Sequence, residues 1–186
     1  MKPQRLKLII ILGGAAIGGL MLAAWTQPWF TLIVGESQSV SVSGQVAAPA
    51  LSALGLASLA LAAALSIAGV IVRFALGGVQ LLIGVLAAAM SVTALATPVR
   101  SSLPAVTAVV GESGLTAVSS LVTSLAVSPW PWVAAGLGIV AAALGVVILI
   151  TARRWPGPTR RYESAPTIDD SPAASWDALS AGNDPT

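Results

Sequence analysis

From Pro49 to Thr97 the chain carries one charged residue, Arg73, in a run that is otherwise almost wholly apolar. No other feature constrains the fold as much. Crossing about 30 Å of hydrocarbon takes about 20 residues of helix, so the run is too long for one membrane span and long enough for two. An arginine at the centre of a membrane helix costs about 2.5–3.5 kcal/mol, which places Arg73 at a turn on a membrane face. The sequence therefore reads as a helix over 50–72, a turn at 73–74 and a helix over 75–96. Gly77 and Gly78, just past that turn, are expected to loosen the start of the second of these helices.

Two further apolar runs complete the pattern. Residues 8–25 contain no charge and follow Lys2, Arg5 and Lys7. Basic residues before an apolar stretch also open signal peptides. Here the stretch is longer than usual and no clean Ala-x-Ala cleavage site precedes Trp25, so it reads as an uncleaved first helix. The fourth helix, 131–152, begins at Pro131, where a missing N–H is no loss, and ends at Arg153 and Arg154. Only 9% of the chain is charged, against about 25% in soluble domains, too little polar surface to cover a globule in water. The expected fold class is all-α integral membrane: a four-helix transmembrane bundle in contact with lipid, with a small extracytoplasmic cap and a disordered C-terminal tail.

Orientation follows from the basic residues. With residues 1–7, the 73–74 turn and the 153–186 tail in the cytoplasm, Lys2, Arg5, Lys7, Arg73, Arg153, Arg154, Arg160 and Arg161 all lie inside, and Arg100 alone lies outside. The opposite orientation violates the positive-inside rule. The expectation is a multi-pass plasma-membrane protein with both termini cytoplasmic and two outer loops, 26–48 and 98–129.

In the first outer loop Ser39-Val40-Ser41-Val42-Ser43 alternates, and Thr31-Leu32-Ile33-Val34 precedes a Gly35-Glu36 turn signal. This is the pattern of a short β-hairpin, marginal in isolation and in need of support from the second loop or the membrane surface. In the second, Leu115, Val118, Leu121, Val122 and Leu125 recur at helical spacing, which predicts an interfacial or re-entrant helix over 114–127. Val34-Gly35-Glu36-Ser37 recurs as Val110-Gly111-Glu112-Ser113, either the trace of two duplicated helix hairpins or a coincidence of biased composition. Beyond Trp155 the chain turns rich in Pro, Ser, Ala and Asp, a composition that does not fold alone. The tail's one apolar cluster, Trp176 with Leu179, lies near Asp184 and is the candidate docking site for a protein partner.

With no Cys and no His, the chain lacks thiolate and imidazole ligands, disulfides, a Cys nucleophile and any His acid–base pair. No catalytic residue, metal site or cofactor is expected, and the scattered basic residues form no nucleic-acid footprint. Trp25, Trp29, Trp130 and Trp132 fall at the outer interface, where indole rings anchor helices at headgroup level. The same rings could instead line the mouth of a site with Glu36, Glu112 and Arg100, the only charges outside, giving an alternative reading as a small transporter or sensor of an aromatic amino acid. Within the spans Gln80 is expected to bond across to a neighbouring helix. The spacings Gly14 to Gly18 and Ala141 to Gly145 fit close helix contact, and a homo-oligomer could still build a pathway that one chain lacks.

The segment Leu22-Ala23-Ala24-Trp25-Thr26-Gln27-Pro28-Trp29-Phe30 and the ending Trp176-Asp177-Ala178-Leu179-Ser180-Ala181-Gly182-Asn183-Asp184-Pro185-Thr186 resemble the tryptophan-operon-associated membrane proteins of actinobacteria. The four-helix layout and the Arg-Arg-Trp after the last span extend the likeness over nearly the whole chain. Ser180 and Asn183 stand where that family's tail is typically charged. The resemblance implies a multi-pass membrane protein linked by context to tryptophan metabolism, in a family without an established enzymatic role, and the expectation is an accessory protein that is not an enzyme.

Overall fold

A computed structural model describes residues 3–35, 38–111 and 114–155. The chain forms α1 (Pro3–Thr26), β1 (Pro28–Val34), β2 (Gln38–Ser43), α2 (Gly44–Ala47), α3 (Leu51–Ile67), α4 (Val70–Ala96), α5 (Pro98–Val110), α6 (Leu115–Leu121), β3 (Val122–Val127) and α7 (Trp130–Thr151), ending in a 3₁₀ turn, Ala152–Arg154. The fold is mostly helical, not all-α. Three helices, α1, α4 and α7, are long and apolar enough to cross a membrane, and α3, at 17 residues, is shorter.

The long helices bury one row of residues at alternating steps of four and three, with glycine, alanine or serine at many of the positions. In α1 the row is Ile10, Gly14, Ile17, Met21 and Ala24; in α4 it is Arg73, Gly77, Gln80, Gly84, Ala87, Ser91 and Ala94. A 4–3 alternation keeps one seam facing a neighbour along the whole helix, and small residues on that seam let backbones approach. Accordingly α1 packs along α3 and α4 along α7, while α1–α7 and α3–α4 contacts close the ring. A Cβ added at Gly18 would lie 2.8 Å from Gly55 O. The α4–α7 seam is tighter: a Cβ at Gly84 would meet the Ala142 backbone nitrogen and lie 2.6 Å from Gly138 O, and one at Gly138 or Gly145 would meet the backbone of Ala88 or Leu81.

The turn between α3 and α4 falls at Ala68 and Gly69, not at the expected 73–74. Arg73 lies in the first turn of α4 and is 1% exposed. Its long side chain brings the guanidinium to backbone carbonyls at the bundle end, so the helix accommodates the charge and the chain can reverse earlier. Gly77 and Gly78 do not interrupt α4. Gly77 faces Ile148 and Leu149 of α7, whereas Gly78 has nothing near its Cβ direction.

At the opposite end the expected hairpin is present: β1 and β2 pair antiparallel, Phe30 opposite Val42 and Leu32 opposite Val40. The expected helix over 114–127 stops at Leu121. Residues 122–127 instead form β3, antiparallel to the other edge of β1 with Leu32 opposite Leu125, in the order β2-β1-β3. An unpaired β1 edge would leave backbone donors and acceptors without partners, and β-branched Val122, Thr123 and Val127 suit a strand. Phe30, Leu32, Val34, Val40 and Val42 point from one sheet face into a core shared with Met21 and Ala24 of α1, Leu51 of α3, Val106 of α5 and Val118 of α6. Sheet and bundle are thus one packed unit.

Candidate functional site

The tryptophans divide. Trp132 is 65% exposed and Trp130 half-buried against the core, as interfacial anchors would be. Trp29 is fully buried, its Nε1 donating to Ala24 O at 2.8 Å and its ring edge-on to Phe30. It is a core residue, and Gly44 exists in its shadow, since a Cβ there would lie 2.7 Å from both Trp29 Nε1 and Trp25 O. Trp25 packs partly buried on the same core with its Nε1 enclosed and unpartnered. The Trp29 ring is not free to line an open mouth. Glu36 and Glu112 lie outside the described residues.

Arg100 is exposed on the first turn of α5. It borders a cleft of about 410 Å³ lined by Ala96, Thr97, Pro98, Val99, Leu115 and Ser119, between the α4–α5 junction and α6. The Thr97 hydroxyl donates to Thr93 O and that of Ser119 to Thr116 O. Arg100 is therefore the one charged donor in a mostly apolar lining.

The far end of the bundle gathers other cations. Lys7 Nζ donates to Ser66 O at 2.7 Å, over the last turn of α3. Arg73 Nε donates to Ala68 O at 2.9 Å, and its Nη1 reaches Trp155 O at 3.2 Å and Ala152 O at 3.5 Å. Its guanidinium carbon lies 5.4 Å from the Trp155 ring centroid, within cation–π range. Cations at these C-terminal carbonyls complement the negative ends of α3 and α7. Arg153 stacks similarly on Phe74 at 5.7 Å. Arg73, expected only as a topology determinant, is thus also a clasp joining the α3–α4 turn to the chain leaving α7. Lys2, Arg160, Arg161 and the tail residues Trp176, Leu179 and Asp184 lie outside the described residues.

Midway along the bundle, Gln80 and Ser58 are fully buried. Gln80 Nε2 donates to Ser58 Oγ at 3.3 Å, and that hydroxyl lies 3.3 Å from Gly14 O. The expected interhelical bond is present and joins α4, α3 and α1. The residues that sequence reasoning missed are Gly84 and Gly138 of the α4–α7 seam. Their signal was the seven-residue spacing, Gly77 to Gly84 and Gly138 to Gly145, which repeats in two different helices.

Apolar helices long enough to span a bilayer, closed on one another through backbone contact and roofed by a small sheet, define a helical membrane protein. Among the described residues no group of three or more His, Cys, Asp or Glu could hold a metal ion. The chain belongs to the tryptophan-associated transmembrane protein family, whose model matches residues 10–186. No curated protein and no solved structure matches it.

Proposed function

We propose that the protein is a non-enzymatic accessory scaffold of the plasma membrane, anchored by four spans and docking a cytoplasmic partner through its tail. In this reading α3 is the fourth span: 17 residues lie at the short end of the spanning range, and α3 packs between α1 and α4. The end carrying Arg5, Lys7, Arg73 and Arg153 faces the cytoplasm by the positive-inside rule, and both termini lie there. The sheet with α5 and α6 forms the outer cap, and Trp130 and Trp132 anchor it at headgroup level.

The observation that carries the reading is the rigid seam between α4 and α7, clasped by Arg73 where the tail departs. Helices in backbone contact leave no passage between them and hold their ends at a fixed distance, as suits a platform better than a carrier. The tail's Trp176, Leu179 and Asp184 supply the contact, and the family's association with tryptophan supports a partner in tryptophan metabolism. Purifying the full-length protein in mild detergent, beside Trp176→Ala, tests this. A partner recovered with the parent and lost with the variant is expected, whereas identical partners for both remove the tail from the reading. The alternative, a small transporter or sensor of an aromatic amino acid, draws its support from the cleft beside Arg100. Tryptophan uptake and efflux unchanged by gene deletion would eliminate it.

A further inference from the structure

The cleft at the α4–α5 junction has a feature the scaffold reading does not use, a single exposed cation over an apolar hollow. We propose that it holds an anionic phospholipid of the surrounding bilayer, with the lipid phosphate against Arg100 and the upper part of one acyl chain in the hollow. This rests on α4 being a membrane span. Ala96 is the last residue of that helix and lines the cleft, so the hollow opens where hydrocarbon gives way to headgroups. Ala96, Pro98, Val99 and Leu115 offer an apolar wall, and about 410 Å³ is within the range of small-molecule pockets. Leu115 is 46% exposed there, apolar surface that an acyl chain would cover at about 25 cal/mol per Å².

Charge selects the headgroup. No hydrogen bond or ion pair engages Arg100 among the described residues, and the hydroxyl protons of Thr97 and Ser119 are already donated to backbone carbonyls. Arg100 also sits on the first turn of α5, where free amide N–H groups and the helix dipole favour an anion. A guanidinium presents parallel N–H donors that match phosphate oxygens. A zwitterionic lipid brings its own cation to the same place and gains less.

The test uses the full-length protein in phosphatidylcholine nanodiscs containing a photoactivatable phosphatidylglycerol, with its diazirine high on one acyl chain, or the matching photoactivatable phosphatidylcholine. The glycerol lipid is expected to label residues 96–119 about three- to fivefold more than the choline lipid, the preference of one exposed charged contact. Arg100→Gln should bring the two to the same level, Arg100→Lys should keep part of the difference, and Ser119→Trp, which fills the hollow while leaving Arg100, should lower labelling by both. Equal labelling by the two lipids in the parent protein overturns the proposal, as does an Arg100→Gln pattern identical to the parent's. Labelling abolished by millimolar inorganic phosphate assigns the site to a free anion and overturns the lipid assignment. Failure of α4 to span is told apart by impermeant thiol labelling of Gly69→Cys and Ser119→Cys, which flank α4 and would then react from the same side of the membrane.

Discussion

Gly77 and Gly78 are adjacent in sequence and face opposite surroundings. Gly78 has open space where a side chain would be and Gly77 has the Ile148 and Leu149 side chains of α7, whereas Gly84, Gly138 and Gly145 have the partner helix's backbone there. Adding a methyl at Gly84 must push two helices apart, because the atoms it meets belong to Ala142 and Gly138 backbone and cannot swing aside. Gly84→Ala is therefore expected to destabilise the bundle by about 1–3 kcal/mol, the usual cost of overpacking. Gly78→Ala should be neutral or stabilising by up to about 1 kcal/mol, from helix propensity alone. Thermal unfolding of both variants in one detergent is the check, and equal losses would show that the seam does not hold the bundle together. The two glycines cannot be told apart by composition or immediate neighbours. The seven-residue echo from Gly77 to Gly84 tells them apart only when set beside Gly138 and Gly145.

At the scale of elements, β3 shows how a correct periodicity gives a wrong assignment. Leu115, Val118, Leu121, Val122 and Leu125 do recur at helical spacing, and the helix they predict exists, but only to Leu121. Beyond that the competing demand is remote, since β1 has an edge to satisfy and its partner arrives about ninety residues later in the chain. Ser128 N donates to Trp29 O at 2.9 Å, which fixes the alternation: the amides of Ala126 and Ser128 point toward β1, while those of Leu125 and Val127 point to the free edge. Residue-resolved hydrogen exchange should find Ala126 and Ser128 protected and Leu125 and Val127 exchanging at least tenfold faster. Equal protection of all four would mean that the outer edge of β3 is covered. The β1–β2 hairpin was legible because its strands are consecutive and its turn is marked by glycine. Gly35 does adopt a left-handed conformation, at φ 63°. The repeated motif at Val110-Gly111 keeps the left-handed glycine, at φ 76°, but there it closes a helix, whereas Gly35 follows a strand.

For the whole molecule the arrangement of charge makes the sharpest prediction. Arg5, Lys7, Arg73 and Arg153 gather at one end of the bundle and Arg100 stands at the other, so orientation can be read by labelling a chain without native cysteine. Arg73 itself is too buried to serve. Gly69→Cys in the α3–α4 turn and Ser119→Cys beside the cleft mark the two ends. In intact cells an impermeant thiol reagent should modify the cysteine at 119 and spare that at 69, which reacts only after permeabilisation. The reverse pattern would invert the orientation and with it the cytoplasmic placement of the tail.

The sequence by itself determined what depends on consecutive residues. Runs without charge marked the membrane helices, glycine and alternation marked the hairpin, and the clustering of basic residues sorted the two ends. Each of these properties is summed along one stretch of chain and needs no knowledge of what lies beside it. The tertiary structure decided what depends on neighbours far away in sequence: which glycines meet a backbone, that Trp29 is enclosed while Trp132 is not, that β1 takes a third strand, and that Arg73 closes on Trp155. Those outcomes come from van der Waals fit and from the need of buried polar groups for partners, which arise only once distant segments meet.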